Sequence, residues 1–144
     1  DLLQHKAVLL TNLGELELSR GEAVQALDTL RRAEALHVYL GSDEGLADTY
    51  RLLGECHLAE GQLEAARQHV DKSLEIAERV GSPYFVGRSH RTLAQVVSSP
   101  EDIARHLRAS VEAFRAAGMT GELAATEALR ARLLGTGSLP PPRG

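Results

Sequence analysis

Apolar and polar positions follow each other along this chain with the period of an α-helix. One apolar stripe recurs every three or four residues and consists of Leu63, Ala66, Val70, Leu74, Ala77 and Val80. A second stripe later in the chain consists of Ile103, Leu107, Val111 and Phe114. The pattern predicts seven helices, near residues 3–19, 22–40, 43–60, 62–80, 83–97, 100–117 and 120–134.

Capping residues support these helix boundaries. Three predicted helices follow a serine, at Ser42, Ser82 and Ser99, and a serine hydroxyl caps the free N–H groups of a helix start. Glycine follows the predicted helices 22–40, 62–80 and 100–117, at Gly41, Gly81 and Gly118, where a left-handed residue ends a helix at least cost. The elements are therefore separate helices joined by short turns.

The apolar pattern also repeats at long range. Leu10, Leu13 and Gly14 recur 40 residues later as Tyr50, Leu53 and Gly54, and again as His90, Leu93 and Ala94. The spacing falls to 37 residues after a turn at 98–100, where three residues have been lost. A fixed period of this length predicts stacked helical hairpins, each of which buries its apolar face only against its neighbours.

The middle unit resembles a tetratricopeptide repeat. Residues 50–57, Tyr-Arg-Leu-Leu-Gly-Glu-Cys-His, match the first half of that signature, and the pairs Ala26/Leu30, Ala66/Val70 and a degenerate Ile103/Leu107 match the second. The resemblance covers roughly residues 5–134. The usual period is about 34 residues with a terminal proline, so the longer spacing here indicates longer second helices. These are similar to the repeats of Pins-type polarity adaptors and of sensor domains in large bacterial transcription regulators.

This resemblance implies an all-α fold, an α-α superhelix (a TPR-like solenoid) of three helical hairpins plus a C-terminal capping helix. We expect one helical repeat domain over 1–134, with units at about 3–41, 42–81 and 82–118 and the cap at 120–134. Residues 135–144 form a Gly- and Pro-rich tail, which is either a disordered linker or a short polyproline-type ligand.

The resemblance further implies that the first helix of each unit lines a concave groove. The predicted partner-binding residues are Thr11, Asn12, Glu15, Asp48, Arg51, Glu55, Arg88, Arg91 and Gln95. Their charges change from acidic to basic along the stack, and the whole chain follows the same trend. Residues 1–85 hold 15 acidic and 8 basic side chains, and residues 86–144 hold 5 and 8. Such a gradient would orient a bound peptide, or it reflects only solvated helix faces.

The expected function is that of a protein–protein interaction scaffold, which binds a peptide or a partner helix as a module of a larger signalling or regulatory protein. A heat-shock chaperone tail is an unsuitable ligand, because Glu15 would repel its terminal carboxylate. Arg88 and Arg91 are one helical turn apart and could instead pair with an acidic segment or a phosphate. The alternative function is an effector-sensing or self-association domain of a multidomain bacterial transcription regulator or kinase. A homodimer through Leu2, Leu3, Val8 and Leu9 is also possible, since the first helix has no preceding neighbour.

Other classes of function find little support in the sequence. No phosphate-binding loop, nucleophile elbow or metalloprotease motif is present, so neither an enzyme nor a cofactor is expected. His57 and His90 occupy aromatic positions of the repeat and suit packing. His69 and His106 are equivalent and expected to be neighbours, but two imidazoles alone make a poor zinc site. His5 and His37 have no evident partner.

Net charge, apolar run length and cysteine content indicate which partners and which location to expect. An acidic chain with a net charge of −4 is a weak candidate for direct nucleic-acid binding. No apolar run approaches the roughly 18 residues of a membrane span, so no membrane association is expected. Cys56 has no second cysteine with which to form an internal disulfide. A cytoplasmic location is therefore predicted.

Overall fold

A computed structural model describes residues 1–135 of the chain. Every helix end lies within one residue of its predicted position. The seven helices are α1 (Leu2–Ser19), α2 (Ala23–Leu40), α3 (Asp43–Ala59), α4 (Leu63–Val80), α5 (Pro83–Val96), α6 (Pro100–Ala116) and α7 (Thr120–Leu134). No strand occurs within the described residues.

The predicted serine caps form at the starts of α3, α5 and α6. The hydroxyl oxygens of Ser42 and Ser82 each accept from a backbone N–H three residues ahead, at 3.3 Å. Ser99 Oγ accepts from the N–H of Asp102 at 3.1 Å. Gly41 and Gly81 end α2 and α4 at φ of 65° and 76°, in the left-handed region that favours glycine. Local sequence therefore determines where these helices begin and end.

The helices pack in adjacent antiparallel pairs. α1 with α2, α3 with α4 and α5 with α6 form three hairpins, and each hairpin packs on the next through α2 with α3 and α4 with α5. α7 packs on α6, so the predicted superhelix of three hairpins plus a C-terminal capping helix is confirmed. The first helices also contact one another, α1 with α3 and α3 with α5. The three first helices therefore lie side by side along one face of the stack, the face that the family resemblance predicts to be concave.

Small residues bring the two helices of each hairpin close together. A Cβ atom added to Gly54 would lie 2.3 Å from Val70 Cγ2 and 3.1 Å from the Ala66 carbonyl oxygen. The joints between hairpins are filled by a core in which Ala26 and Leu30 of α2 pack against Leu52, Leu53 and Cys56 of α3. The stack is thus one continuous core rather than three separate ones.

α7 covers the open side of the third hairpin. Leu129 packs with Ala94 and Leu107, with Ile103 and Leu133 at the edge of the same cluster. The Ser110 and Thr126 hydroxyls meet at 3.4 Å across this joint, as Ser73 and Ser89 do at 2.8 Å in the joint before it. The predicted tail was 135–144, and all of it except Gly135 lies outside the described residues.

Candidate functional site

The nine predicted groove residues lie on the three first helices. α1 carries Thr11, Asn12 and Glu15; α3 carries Asp48, Arg51 and Glu55; α5 carries Arg88, Arg91 and Gln95. Contacts join five of them into one charged cluster that crosses all three helices: Glu15, Asp48, Arg51, Glu55 and Arg88.

Arg51 is the centre of this charged cluster. Its guanidinium donates to Asp48 Oδ1 at 2.8 Å and to a Glu55 carboxylate oxygen one turn later on α3. The carboxylate of Glu15, on α1, is 3.5 Å away. The Arg51 side chain is only 5% exposed, and its Nε has no hydrogen-bond partner. Burial alone would lower the pKa of Arg51, but the three carboxylates raise it above its ordinary value.

Arg88 extends the charged cluster to α5. It donates to Glu15 at 3.1 Å and to the Tyr84 hydroxyl, and it lies 4.0 Å from Asp48. The sequence suggested Glu15 and Arg88 as opposite ends of a graded groove, yet the fold places them in one ion pair. Three carboxylates share two guanidinium groups, so the charged cluster carries a small negative excess.

Arg91 does not join the charged cluster. Its guanidinium lies 2.7 Å from the carboxylate of Glu122 and 3.3 Å from the Thr126 hydroxyl, both on α7. The same group stacks over the Phe114 ring at 5.3 Å. Arg91 thus fastens the capping helix to the third hairpin, while Gln95 lies half-buried one turn further along α5.

A small cavity of about 130 Å³ lies at the end of the groove nearest the start of α3 and α5. Asn12 is exposed there, with Asp48 and Glu44 beside it and with Val8 and Phe85 as apolar walls. Thr11 also lines it but is buried. The predicted site set missed Phe85 and Glu44, although Phe85 lies three residues before Arg88 and therefore on the same side of α5.

Thr11 has a structural role under this cavity. Its hydroxyl lies 3.0 Å from His37 Nε2 and 3.3 Å from the Thr49 hydroxyl, so it links α1, α2 and α3. The expectation that His37 has no partner was therefore wrong. Burial lowers the pKa of His37, against the opposing attraction of Asp48.

Four of the other five histidines pair within hairpins, whereas His5 is exposed on α1. His57 and His69 have ring centroids 4.8 Å apart, and Nδ1 of His90 lies 3.0 Å from Nδ1 of His106. The expected neighbours His69 and His106 are each engaged with the histidine of their own hairpin instead. Burial lowers the pKa of His106 to about 4, and His90 adds to the effect. Within residues 1–135, no group of three or more His, Cys, Asp or Glu side chains is arranged to hold a metal ion.

A larger cavity, of about 500 Å³, opens between α4, α5 and α6. Its walls include Val86 and His90 of α5, a row of alanines on α6, and the carboxylates of Glu78 and Glu112. The alanines explain the space: Ala109, Ala113 and Ala116 take the places that Lys72, Ile76 and Arg79 occupy 37 residues earlier in the second hairpin. The predicted sites did not include this cavity, although the alignment of the two hairpins carries the signal.

Comparison with known proteins identifies the family to which the chain belongs. No helix within the described part of the chain is long and apolar enough to cross a membrane. No curated protein and no solved structure matches the chain significantly. The sequence pattern that defines the tetratricopeptide repeat matches twice, over residues 5–79 and 45–116. These matches span more than half of the 144 residues and follow the hairpins just described. The chain therefore belongs to the tetratricopeptide repeat family.

Proposed function

We propose that the concave face of α1, α3 and α5 binds a segment of a partner protein, and that the chain is a scaffold module of a larger signalling or regulatory protein. Repeats of this family are non-catalytic and generally mediate protein–protein interactions. The single observation that carries the proposal is the groove cavity, where the exposed Asn12 amide lies beside apolar Val8 and Phe85. An amide with free donors and an acceptor suits a peptide backbone, and the apolar walls suit one side chain.

The charges favour a basic or neutral segment over an acidic one. Arg51 and Arg88 are held by Glu15, Asp48 and Glu55, so neither guanidinium is available to an acidic ligand without breaking an ion pair. Glu44 and Asp48 leave carboxylate oxygens at the cavity. A lysine or arginine of the partner would find complementary charge there. The proposal includes a cytoplasmic setting, supported by the single cysteine of the chain.

The test uses a variant that blocks the groove cavity without touching the charged cluster. Val8 is 53% exposed at its edge, so Val8→Lys should preserve the fold and place a positive charge in the apolar wall. The matched control is Val24→Lys, since Val24 is 69% exposed on α2. Arg88→Glu is less suitable, because it also breaks the pair with Glu15.

The intact chain would be used to capture partners, and the affinity of a peptide from the captured partner would then be measured by calorimetry. We expect Val8→Lys to weaken binding by roughly 10-fold or more, because it removes an apolar contact and places a positive charge where a basic or neutral segment would bind. Val24→Lys should bind as the parent chain does. Equal affinities for the parent and the Val8→Lys protein would refute groove binding.

The larger cavity supports a second candidate, the sensing of a small effector. Its volume of about 500 Å³ is within the usual range for small ligands, and its walls are mostly apolar with Glu78 and Glu112 at the rim. These features suit an apolar molecule that carries a cationic group. The matched variant is Ala113→Ile, which restores the residue of the second hairpin and fills the space. A thermal-shift screen of organic amines should give hits whose stabilisation disappears in Ala113→Ile; hits that persist unchanged would refute this site.

A further inference from the structure

His37 lines the groove cavity and has a ring nitrogen without a partner. The residue is only 3% exposed, and it lines the cavity together with Asn12 and two carboxylates. Nε2 of its ring lies 3.0 Å from the Thr11 hydroxyl, whereas Nδ1 is buried and has no hydrogen-bond partner. Because an unsatisfied buried polar atom costs free energy, Nδ1 marks a place where a ligand atom or a water would complete the hydrogen bonding.

The neighbouring hydroxyls determine which ring nitrogen carries the proton. Thr11 donates to the Ala7 carbonyl at 3.0 Å, and Thr49 donates to the Gly45 carbonyl at 2.7 Å. Because both hydroxyl protons are used in this way, Nε2 of His37 donates to Thr11 Oγ1. The opposite tautomer would leave a buried N–H at Nδ1 without an acceptor, which is rare in proteins. Burial also lowers the pKa of His37, so the ring is neutral at pH 7 and Nδ1 is a hydrogen-bond acceptor.

Gly45 packs over the His37 ring without blocking this acceptor. A Cβ atom added to Gly45 would lie 2.2, 2.3 and 2.8 Å from Nδ1, Cε1 and Cγ of His37. These three distances place it above the ring, whereas the lone pair of Nδ1 lies in the ring plane. A glycine at this position of α3 therefore leaves room for the ring beside the cavity.

Two carboxylates lie around the same cavity. Glu44 is exposed in the first turn of α3, and Asp48 is half-buried one turn later. The contacts of Asp48 with Arg51 and Arg88 both involve its Oδ1 atom, which leaves Oδ2 for another donor. Together with Nδ1 of His37, these oxygens present the cavity with three acceptors and with negative charge. A ligand that brings a cationic donor would satisfy all three.

We propose, on the basis of the groove binding proposed above, that the cavity binds the ammonium group of a partner lysine and that His37 selects it. An ammonium is compact and has three donors, which match Nδ1 of His37 and the oxygens of Glu44 and Asp48. The methylene stem of the lysine fits the apolar walls formed by Val8 and Phe85. Arginine is a poorer fit, because its planar fork is wider and the cavity of about 130 Å³ is small for a ligand site.

The experiment measures binding of the intact chain to immobilised nonapeptide libraries, which are random in sequence except for one fixed central residue. The fixed residue is lysine, arginine, Nε-acetyl-lysine, norleucine or glutamate. We expect the lysine library to bind roughly 10-fold more strongly than the norleucine and acetyl-lysine libraries, since both lack the charge-assisted hydrogen bonds. The arginine library should bind less than the lysine library, and the glutamate library should bind least.

Two variants of His37 separate its ring nitrogens. The amide of a glutamine reaches as far as Nε2 of a histidine, and the amide of an asparagine reaches as far as Nδ1. His37→Gln therefore keeps a donor for Thr11 and removes the acceptor at Nδ1, whereas His37→Asn does the reverse. We expect His37→Gln to lose the preference for lysine over norleucine and His37→Asn to retain it. Circular dichroism would confirm that both variants keep their helices.

A surface variant tests the same site without a change in the buried network. Glu44→Gln removes an exposed charge at the cavity and should reduce the preference for lysine. The matched control is Glu64→Gln, since Glu64 is also exposed and also lies in the first turn of its helix, α4. It should leave the preference unchanged.

The outcomes separate the lysine site from groove binding itself. Equal binding of the lysine and norleucine libraries by the parent chain overturns the lysine site, as does a preference that survives both His37→Gln and Glu44→Gln. Groove binding still stands in those cases if Val8→Lys weakens binding to every library. Both proposals fall if the parent chain binds none of the libraries, or if Val8→Lys binds them as the parent chain does.

Discussion

Replacing Arg51 by leucine tests whether the charged cluster holds the three first helices together. The guanidinium contacts Asp48 at 2.8 Å, Glu15 at 3.5 Å and Glu55 one turn away, and its side chain is 5% exposed. Leucine keeps part of the apolar packing and removes the charge. Three carboxylates that had shared one cation would then be left near each other.

The size of the effect follows from the burial of both partners. Removing one member of a buried ion pair costs about 3–5 kcal/mol. Here the acidic side chains are 23%, 28% and 45% exposed and regain water when the cation is gone. We therefore expect a loss of about 2–3 kcal/mol, which for a domain of this size lowers the Tm by roughly 10 °C.

Thermal and urea unfolding followed by circular dichroism would measure this loss. The control is Arg79→Leu, which breaks an interhelical pair with Asp43 whose side chains are 58% and 50% exposed. Such a surface pair is worth about 0–1 kcal/mol. Adding Glu55→Gln to the Arg51→Leu chain should recover part of the stability, although Glu55→Gln alone should destabilise. If Arg51→Leu costs no more than Arg79→Leu, the charged cluster does not stabilise the groove.

Three further predictions concern the core and its ionisable groups. Because the pKa of His106 is about 4 in the fold, whereas a free imidazole has a pKa near 6.5, the unfolded chain gains protons first as the pH falls. The His106 contribution to stability should therefore be present above pH 6.5 and be lost as the pH falls from 6.5 towards 4. Urea titrations of His106→Asn should show a flatter dependence on pH, and parallel curves for the two proteins would contradict the cause. Gly54→Ala should destabilise by about 2 kcal/mol or more, because the added Cβ would lie 2.3 Å from Val70 Cγ2 on α4. Gly121→Ala in α7 is the control and should be neutral or stabilising, since no atom lies within 4 Å of its added Cβ. Equal unfolding midpoints for the two variants would refute the close-packing account. Burial raises the pKa of the Cys56 thiol to about 12, so iodoacetamide at pH 8 should label it only at the rate of unfolding; rapid labelling of the folded protein would show that the thiol is accessible.

The helix boundaries and the hairpin stack could be predicted from the sequence alone. Ser42 and Ser82 cap helices, and Gly41 and Gly81 end them, through contacts with residues only a few positions away. The repeat spacing then predicts which helices pack together, because equivalent apolar stripes need equivalent partners. Helix caps depend on neighbouring residues and the hairpin stack depends on a regular spacing, so both can be recognised in the sequence without a structure.

The contacts of the groove residues could be known only from the tertiary structure. Glu15 and Arg88 are 73 positions apart and belong to different hairpins, and only the superhelical path of α1, α3 and α5 brings them to 3.1 Å. The same path places His37 beside Thr11, and the row of alanines on α6 beside Val86.

The repeat, its helices and the family of the fold follow from the sequence alone, since propensity, capping and periodicity can be recognised along the chain. Which charged side chains neutralise each other, and which apolar positions stay uncovered, depends on the tertiary structure. The reason is that ion pairing and burial depend on distances between hairpins. Those distances follow from how every helix of the stack packs, and no single repeat specifies them.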